Sequence, residues 1–373
     1  MKAVYAIADN VFSPIGVDTV SNLHGVMVGE TGVRQVTDTS FSATPFYSSA
    51  FQQFPVFEGD YDFTRFETLC IASISNALQQ TDISLGDKET IFILSTTKGN
   101  IELLGTKNST SRLSLSDTAQ LIAGHFGALN APLVVSNACI SGVAAIILAQ
   151  RLLAGGKYKH AVITGADIVS RFVVSGFQCL YAMSDEPCRP FDKDRKGINI
   201  GECAATAVLT TNAILNSPYK IRVNDGAITN DANHISGPSR TGQELSFAVH
   251  TAMQNGGINV EQLSFISAHG TATVYNDDME SRAFALSGLS EVPLHSLKGN
   301  FGHTLGAAGV VESVLTYRSL QQGIILPSKN FNEPGVPEKI TVNTSLKKSG
   351  KQHALKTASG FGGCNAAIIY SIT

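Results

Sequence analysis

Apolar and polar positions along the chain follow two periods. Short β-branched runs recur at "AVYAIAD" (3–9), "TIFILS" (90–95), "PLVVS" (132–136) and "HAVITG" (160–165), the pattern of strands covered on both faces. Between them the spacing becomes helical, and Phe66, Leu69, Cys70, Ile74, Ala77 and Leu78 share one face of a helix over 66–78. A glycine bend feeding a strand is predicted over 197–210, "GINIGECAATAVLT", and a terminal strand over 365–372, "NAAIIYSI". Such alternation predicts an α/β protein with largely buried sheets.

One arrangement occurs twice. "PLVVSNACISGVAAIILAQRLL" (132–153) runs strand, turn, buried helix, and "PLHSLKGNFGHTLGAAGVVESVLTYRSL" (293–320) does the same. Each turn carries a chemically able side chain, Cys139 in the first and His303 in the second. Two similar halves would bring two such helices together at one centre.

Composition narrows the function classes. Of 373 residues, 43% are apolar and 15% charged, and 34 are glycine, which fits an enzyme-like fold better than a charged binding module. The formal net charge is -3 and the basic block is "KDRK" at 193–196, so nucleic acid is not an expected partner. The six cysteines show no C-x-x-C pair and no metal spacing, so no metal is expected. The first residues lack a signal-peptide core, and the most apolar stretch, 142–155, is interrupted by Gln150 and Arg151 and too short for a bilayer. A reduced cytoplasmic protein without a membrane partner is the expectation.

Several residues could carry chemistry. Cys139 precedes the helix opening "ISGV", where the positive end of the macrodipole favours thiolate, although a lone cysteine in an apolar context is more often an inert core residue. In "ISAHGTATVYNDDMESRAFA" (266–285), His269 falls at a strand end, and the alternating Thr271 and Thr273 can point to one side. Asp277 and Glu280 open the following helix and read as caps. "KGNFGHTLGAAG" (298–309) has the form of an anion cradle but with His303 inside it. Lys298 near a cleft needs a carboxylate, and Glu312 is the plausible partner. "SGFGGCNA" (359–366) is a second glycine-rich turn able to offer free amides. Together these suit acyl transfer, with a nucleophile, hydrogen-bond donors and an oxyanion hole.

Read as ordered motifs, "SPIG" (13–16), "NACISG" (137–142), "CRPFDKDRKGINIGECAA" (188–205), "AHGTATVYNDDMESRA" (268–283), "SLKGNFGHTLGAAGVVES" (296–313) and "SGFGGCNAA" (359–367) resemble the elongating Cys-His-His type of β-ketoacyl-[acyl-carrier-protein] synthase, within the thiolase superfamily. The resemblance implies a duplicated five-layered α-β-α-β-α fold, with an N-terminal half over 1–210 holding the nucleophile and a C-terminal half over 211–373 holding both histidines. It implies that Cys139 takes an acyl group as a thioester. His269 and His303 would assist decarboxylation of a malonyl thioester, whose carbanion attacks that thioester and extends a fatty acid, polyene or polyketide chain. Lys298, held by Glu312, would support the histidines, and the amides of Cys139 and Phe361 would form the oxyanion hole, with the Phe361 ring as a gate. Thr271 and Thr273 would contact phosphopantetheine.

The implied partners are an acyl carrier protein bearing acyl and malonyl groups, and a second subunit in a homodimer or a heterodimer with a related synthase; no cofactor is implied. Lys193, Arg195 and Lys196 are candidates for a basic dock. The chain departs from the family pattern at Ala272 in the H-G-T-G-T motif, at Cys203 for a glycine, and at Ser359 and Cys364 for Phe and Thr. It also lacks the N-terminal T-G-x-G and is shorter than typical members. Three alternatives compete. A non-catalytic partner subunit would lack the cysteine, a thiolase would use a second cysteine such as Cys364, and an initiating synthase would carry asparagine for one histidine.

Overall fold

The computed structural model describes residues 2–54, 62–106, 111–212, 221–235 and 237–373. Their main sheet has twelve strands: β1 (Tyr5–Phe12), β2 (Thr90–Ser95), β3 (Leu133–Val135), β4 (His160–Asp167), β5 (Cys203–Thr210), β6 (Ile221–Val223), β7 (Ala227–Asn230), β8 (Leu263–Ser267), β9 (Pro293–His295), β10 (Thr341–Val342), β11 (His353–Gly360) and β12 (Cys364–Ile372). The order is β10-β9-β8-β11-β12-β6-β1-β5-β4-β2-β3, and β7 also pairs with β12.

The pairing pattern repeats. On one side β2 is parallel to both β3 and β4, β4 is antiparallel to β5, and β5 to β1. On the other, β8 is parallel to β9 and β11, β11 is antiparallel to β12, and β12 to β7. The short β6 joins the two sides by pairing with β1 and with β12. The sequence repeat is thus the visible part of a repeat that includes the outer strands, where side chains have diverged.

Helices complete five layers. The outer pair α1 (Arg65–Leu78) and α2 (Leu115–His125) covers one side of the sheet, burying Phe66, Leu69 and Ile74 against Phe92, Leu94 and Val162. Ile91 and Ile93 alternate with those strand residues and face the middle layer, which is why the centre of "TIFILS" (91–94) is apolar without a break. Helix α1 starts at a capping box, in which Thr64 Oγ1 accepts the Glu67 N–H and Glu67 Oε2 accepts the Thr64 N–H. Helix α4 (Arg171–Cys179) lies beside the cleft described below. On the far side, α5 (Gln243–Gly256) and α6 (Val274–Leu286) bury Leu245, Val249, Met279 and Phe284 against Ile266 and Leu294.

The middle layer is the pair α3 (Ser141–Ala154) and α7 (Ala308–Gln321), packed between strands of both sides. These helices touch through glycine. A Cβ on Gly142 would lie 2.5 Å from the Val310 nitrogen, and one on Gly309 would lie 2.3 Å from the Val143 nitrogen. Neither position admits a side chain without separating the helices. The arrangement brings the two reactive turns, one before each helix, to a common centre. Among the described residues no helix is long and apolar enough to cross a membrane.

Candidate active site

Four connections meet at the carboxyl ends of β3, β8, β9 and β11, the edge at which α/β proteins usually place their sites. The β3–α3 turn carries Cys139, the segment after β8 carries His269, and the segment after β9 carries Lys298 and His303. The β11–β12 hairpin carries Phe361.

The Cys139 turn is sharp. Ala138 takes a left-handed φ of 44°, and the Ser141 hydroxyl braces it by accepting the Asn137 N–H at 2.7 Å and donating to the Ala138 carbonyl at 2.6 Å. Gly360 presses on the same turn, since a Cβ there would stand 3.0 Å from the Cys139 nitrogen. Burial pushes the Cys139 thiol up to about 12, while the Lys298 charge and the Phe361 N–H pull the other way.

His303 Nε2 lies 3.0 Å from Cys139 Sγ, and its Nδ1 accepts the Leu305 N–H at 3.2 Å. His269 meets His303 edge to face, with ring centroids 5.2 Å apart, and its Nδ1 faces the Lys298 ammonium at 3.2 Å. A nitrogen that faces a donor must be the bare one, so the partners assign the proton to Nε2 in both rings. Burial, then Lys298, holds His303 down at about 3 and His269 well below the ordinary histidine range. Both are therefore neutral Nε2–H donors aimed at the space beside Cys139.

Lys298, at the start of the short helix Lys298–Phe301, donates to Glu312 Oε1 at 2.7 Å and to the His269 carbonyl at 2.5 Å. The expected Lys298–Glu312 pair therefore forms. A second lysine, Lys356 on β11, lies 2.6 Å from Glu312 Oε2. It passed unnoticed in the sequence, although a lysine inside the strand "HALKTASG" is itself a signal, because a buried ammonium needs an acid.

Asp277 and Glu280 do more than open α6. Glu280 accepts the N–H groups of His269 (2.8 Å) and Gly270 (2.6 Å), and Asp277 accepts those of Thr271 (3.0 Å) and Phe191 (2.7 Å). They reach back into the preceding segment and fix the histidine, while the α6 N-terminus at Thr273 has no side-chain cap. Similarly, Asp167 on β4 accepts the Gly306 N–H at 2.7 Å and ties the His303 turn to the opposite side of the sheet.

The cleft, about 310 Å³, is lined by Cys139, His269, His303, Thr271, Thr273 and Phe361, among others. Thr271 and Thr273 do point to one side, their hydroxyl oxygens 2.9 Å apart. Ala272 between them is buried with φ 63°, so this departure is tight in its backbone rather than in its volume. Phe361, 37% exposed, stacks on Phe177 of α4 at 5.9 Å. Cys364 does not line the cleft; its sulfur faces the carbonyls of Phe361 (3.4 Å) and Asn137 (3.8 Å).

One expectation fails here. Arg195 is 8% exposed, bound to Asp278 at 2.6 Å and to the Asp192 carbonyl, and cannot form part of a surface dock. Its neighbours are paired as well, Lys193 with Glu333 at 2.6 Å and Lys196 with Glu186 at 3.3 Å.

Cys139, His269 and His303 offer ligand atoms within 4.8 Å of one another, close enough for a metal ion. Binding one would need both Nε2 atoms bare and their protons moved to Nδ1, where the Leu305 N–H and the Lys298 ammonium already donate. The donor set therefore suits an anion or a carbonyl oxygen better than a metal.

Comparison with known proteins agrees with this chemistry. Residues 69–213 match the family described as beta-ketoacyl synthase, N-terminal domain, and residues 221–332 match beta-ketoacyl synthase, C-terminal domain. The 3-oxoacyl-[acyl-carrier-protein] synthase 2 of Vibrio cholerae is 33% identical over 276 residues, covering 68% of this chain and 66% of the relative. The match thus spans just under two thirds of that relative's length. A beta-ketoacyl synthase from Burkholderia phymatum STM815 superposes with a TM-score of 0.91 at 23% identity over 100% of both chains. A ketosynthase in complex with its chain length factor from Xenorhabdus doucetiae gives 0.88 at 24% identity, covering 100% of this chain and 98% of that one.

Proposed function

The chain belongs to the β-ketoacyl synthase family, and from that premise we propose that it lengthens acyl chains by decarboxylative Claisen condensation. The observation that carries this reading is the pair of Nε2–H donors converging beside Cys139, with His303 at 3.0 Å from the sulfur.

In the first half-reaction the Cys139 sulfur attacks the thioester of an acyl carrier protein, and the departing carrier thiolate takes the thiol proton. His303 is not the base, because its bare nitrogen faces Leu305. Thiolate character comes instead from the α3 N-terminus, Lys298 and the Phe361 amide. The carbonyl oxygen of the tetrahedral adduct sits between the amides of Cys139 and Phe361.

In the second half-reaction the thioester oxygen of a malonyl group accepts hydrogen bonds from His269 and His303. The bond to the carboxylate breaks, carbon dioxide leaves, and the electron pair is held as an enolate. Its carbon attacks the Cys139 thioester, and the Cys139 thiolate is expelled. Neutral donors suit this step, because Lys298, seated on Glu312, supplies a fixed positive charge behind His269.

Thr271 and Thr273 grip the phosphopantetheine arm at the mouth, and the Phe361 ring gates it. Strand β3 ends the sheet with β2 as its neighbour and is half-buried, which supports edge pairing with a second synthase subunit, identical or related. All six cysteines are free thiols, which supports a reducing cytoplasm.

The test is to offer an acyl carrier protein loaded with a labelled chain and read the adduct by intact mass. The label is expected on Cys139 and absent from Cys139→Ala. A label on Cys364, or none on folded protein, overturns the proposal.

A further inference from the structure

Lys356 lies in β11 with 0% exposure, between the two sides of the site network. Its ammonium is 2.6 Å from Glu312 Oε2, and it also donates to the carbonyls of Thr357 (2.6 Å) and Ser267 (3.3 Å). Lys298 holds the other oxygen, Oε1, at 2.7 Å. One buried carboxylate thus serves two buried ammonium groups, one oxygen each.

We infer that Lys356 is a positioning residue for His269: by engaging Glu312 Oε2 it confines Lys298 to Oε1 and keeps the Lys298 ammonium against His269 Nδ1. The inference rests on the reading of His269 as a hydrogen-bond donor to the malonyl-derived oxygen. Without Lys356, Oε2 would be a buried acceptor with no cation, and the nearest one is Lys298. A bidentate seat on Glu312 would draw Lys298 away from the His269 ring and carbonyl. His269 Nδ1 would then face no donor, and the ring would divide between tautomers, one of which presents a bare Nε2 to the enolate oxygen.

The surrounding groups leave no substitute. Glu280, from α6, faces both lysines but is taken by the N–H groups of His269 and Gly270, by Asn276 and by the Thr357 hydroxyl. His295, from β9, adjoins Lys356 and Glu312, and burial holds it neutral. Around Glu312 burial acts to raise the carboxyl, but Lys298 and Lys356 outweigh it and keep the group below the ordinary carboxylate range. Glu312 therefore remains ionised at neutral pH.

The experiment uses intact wild-type enzyme, Lys356→Met and Lys356→Gln, the last keeping a neutral donor for Oε2. Cys139 acylation is read by intact mass, malonyl decarboxylation by release of labelled carbon dioxide, and the His269 tautomer by nitrogen NMR of labelled imidazole. Wild type is expected to show a single Nε2–H tautomer at His269. In Lys356→Met decarboxylation should fall about 10- to 100-fold with acylation within about threefold and a mixed tautomer, and Lys356→Gln should lie between. Equal loss of both steps, an unchanged ratio, or an unchanged tautomer in the variants overturns the inference. If neither variant folds, a wild-type His269 carrying its proton on Nδ1 also overturns it. Wild type that neither acylates nor decarboxylates refutes the catalytic reading instead, whatever the tautomer.

Discussion

His303 approaches Cys139 with a nitrogen that carries a proton, at 3.0 Å, while its other nitrogen is committed to the Leu305 N–H. The pair is therefore not a base and its nucleophile. His303→Ala should still acquire an acyl group on Cys139 within about tenfold of the wild-type rate, while malonyl decarboxylation falls about 10²- to 10³-fold, as for loss of an oxyanion donor. Rapid-quench assays of the two half-reactions separate these outcomes, and a proportional loss of both would contradict the assignment.

The resting nucleophile is a thiol rather than a thiolate. Burial raises Cys139 to about 12 against the pull of Lys298. Alkylation by a small haloacetamide should accelerate about tenfold per pH unit between pH 7 and 9. Lys298→Met removes the opposing charge and should slow alkylation at fixed pH. A rate plateau below pH 8 would mean that the thiolate already exists at rest.

The contact of Gly142 with Gly309 predicts a core defect with a catalytic signature. Gly142→Ala places a methyl 2.5 Å from the Val310 nitrogen and should cost about 1–3 kcal/mol of stability. The same displacement moves α3 from α7 and so Cys139 from His303. Urea unfolding and condensation rate should both suffer, whereas Gly124→Ala, in a helix with nothing within 4 Å, should lower neither.

Acid sensitivity is expected to pass in part through His295. Its ring lies tilted against Phe265 with centroids 5.2 Å apart, its nitrogens have no hydrogen-bond partner among the described residues, and burial, then Lys356, lowers it to about 3. Between pH 6.5 and 3 the unfolded chain binds this proton and the folded chain does not, so stability falls as pH falls. His295→Phe removes that dependence. The variant's advantage over wild type should grow by about 1.4 kcal/mol per pH unit below pH 6.5. Asp277, raised to about 7, works in the opposite direction but is common to both proteins and cancels. Urea unfolding at pH 7 and pH 5 measures the difference, and parallel losses would reject the role of His295.

The sequence revealed most where a local pattern carries the information. Strands β2 and β4 are legible because burial on both faces gives each a run of consecutive apolar residues, 91–94 and 161–163, and the turns of Cys139 and His303 because each sits between a strand and a buried helix. Lys356, Asp277 and Glu280 were missed or misread because their partners are set by tertiary contact. Glu280 looks like a helix-opening acid until β11 and the His269 segment close around it. Arg195 failed for a related reason, since a run of basic residues does not reveal that one of them turns inward to Asp278.

The glycine seam between α3 and α7 also bears on how the enzyme would age and heat. Its two reactive turns are fixed by backbone contact in the deepest layer, so the catalytic spacing has no softer hinge of its own. Activity and native structure should then disappear at the same temperature, with no range in which a folded but idle enzyme accumulates.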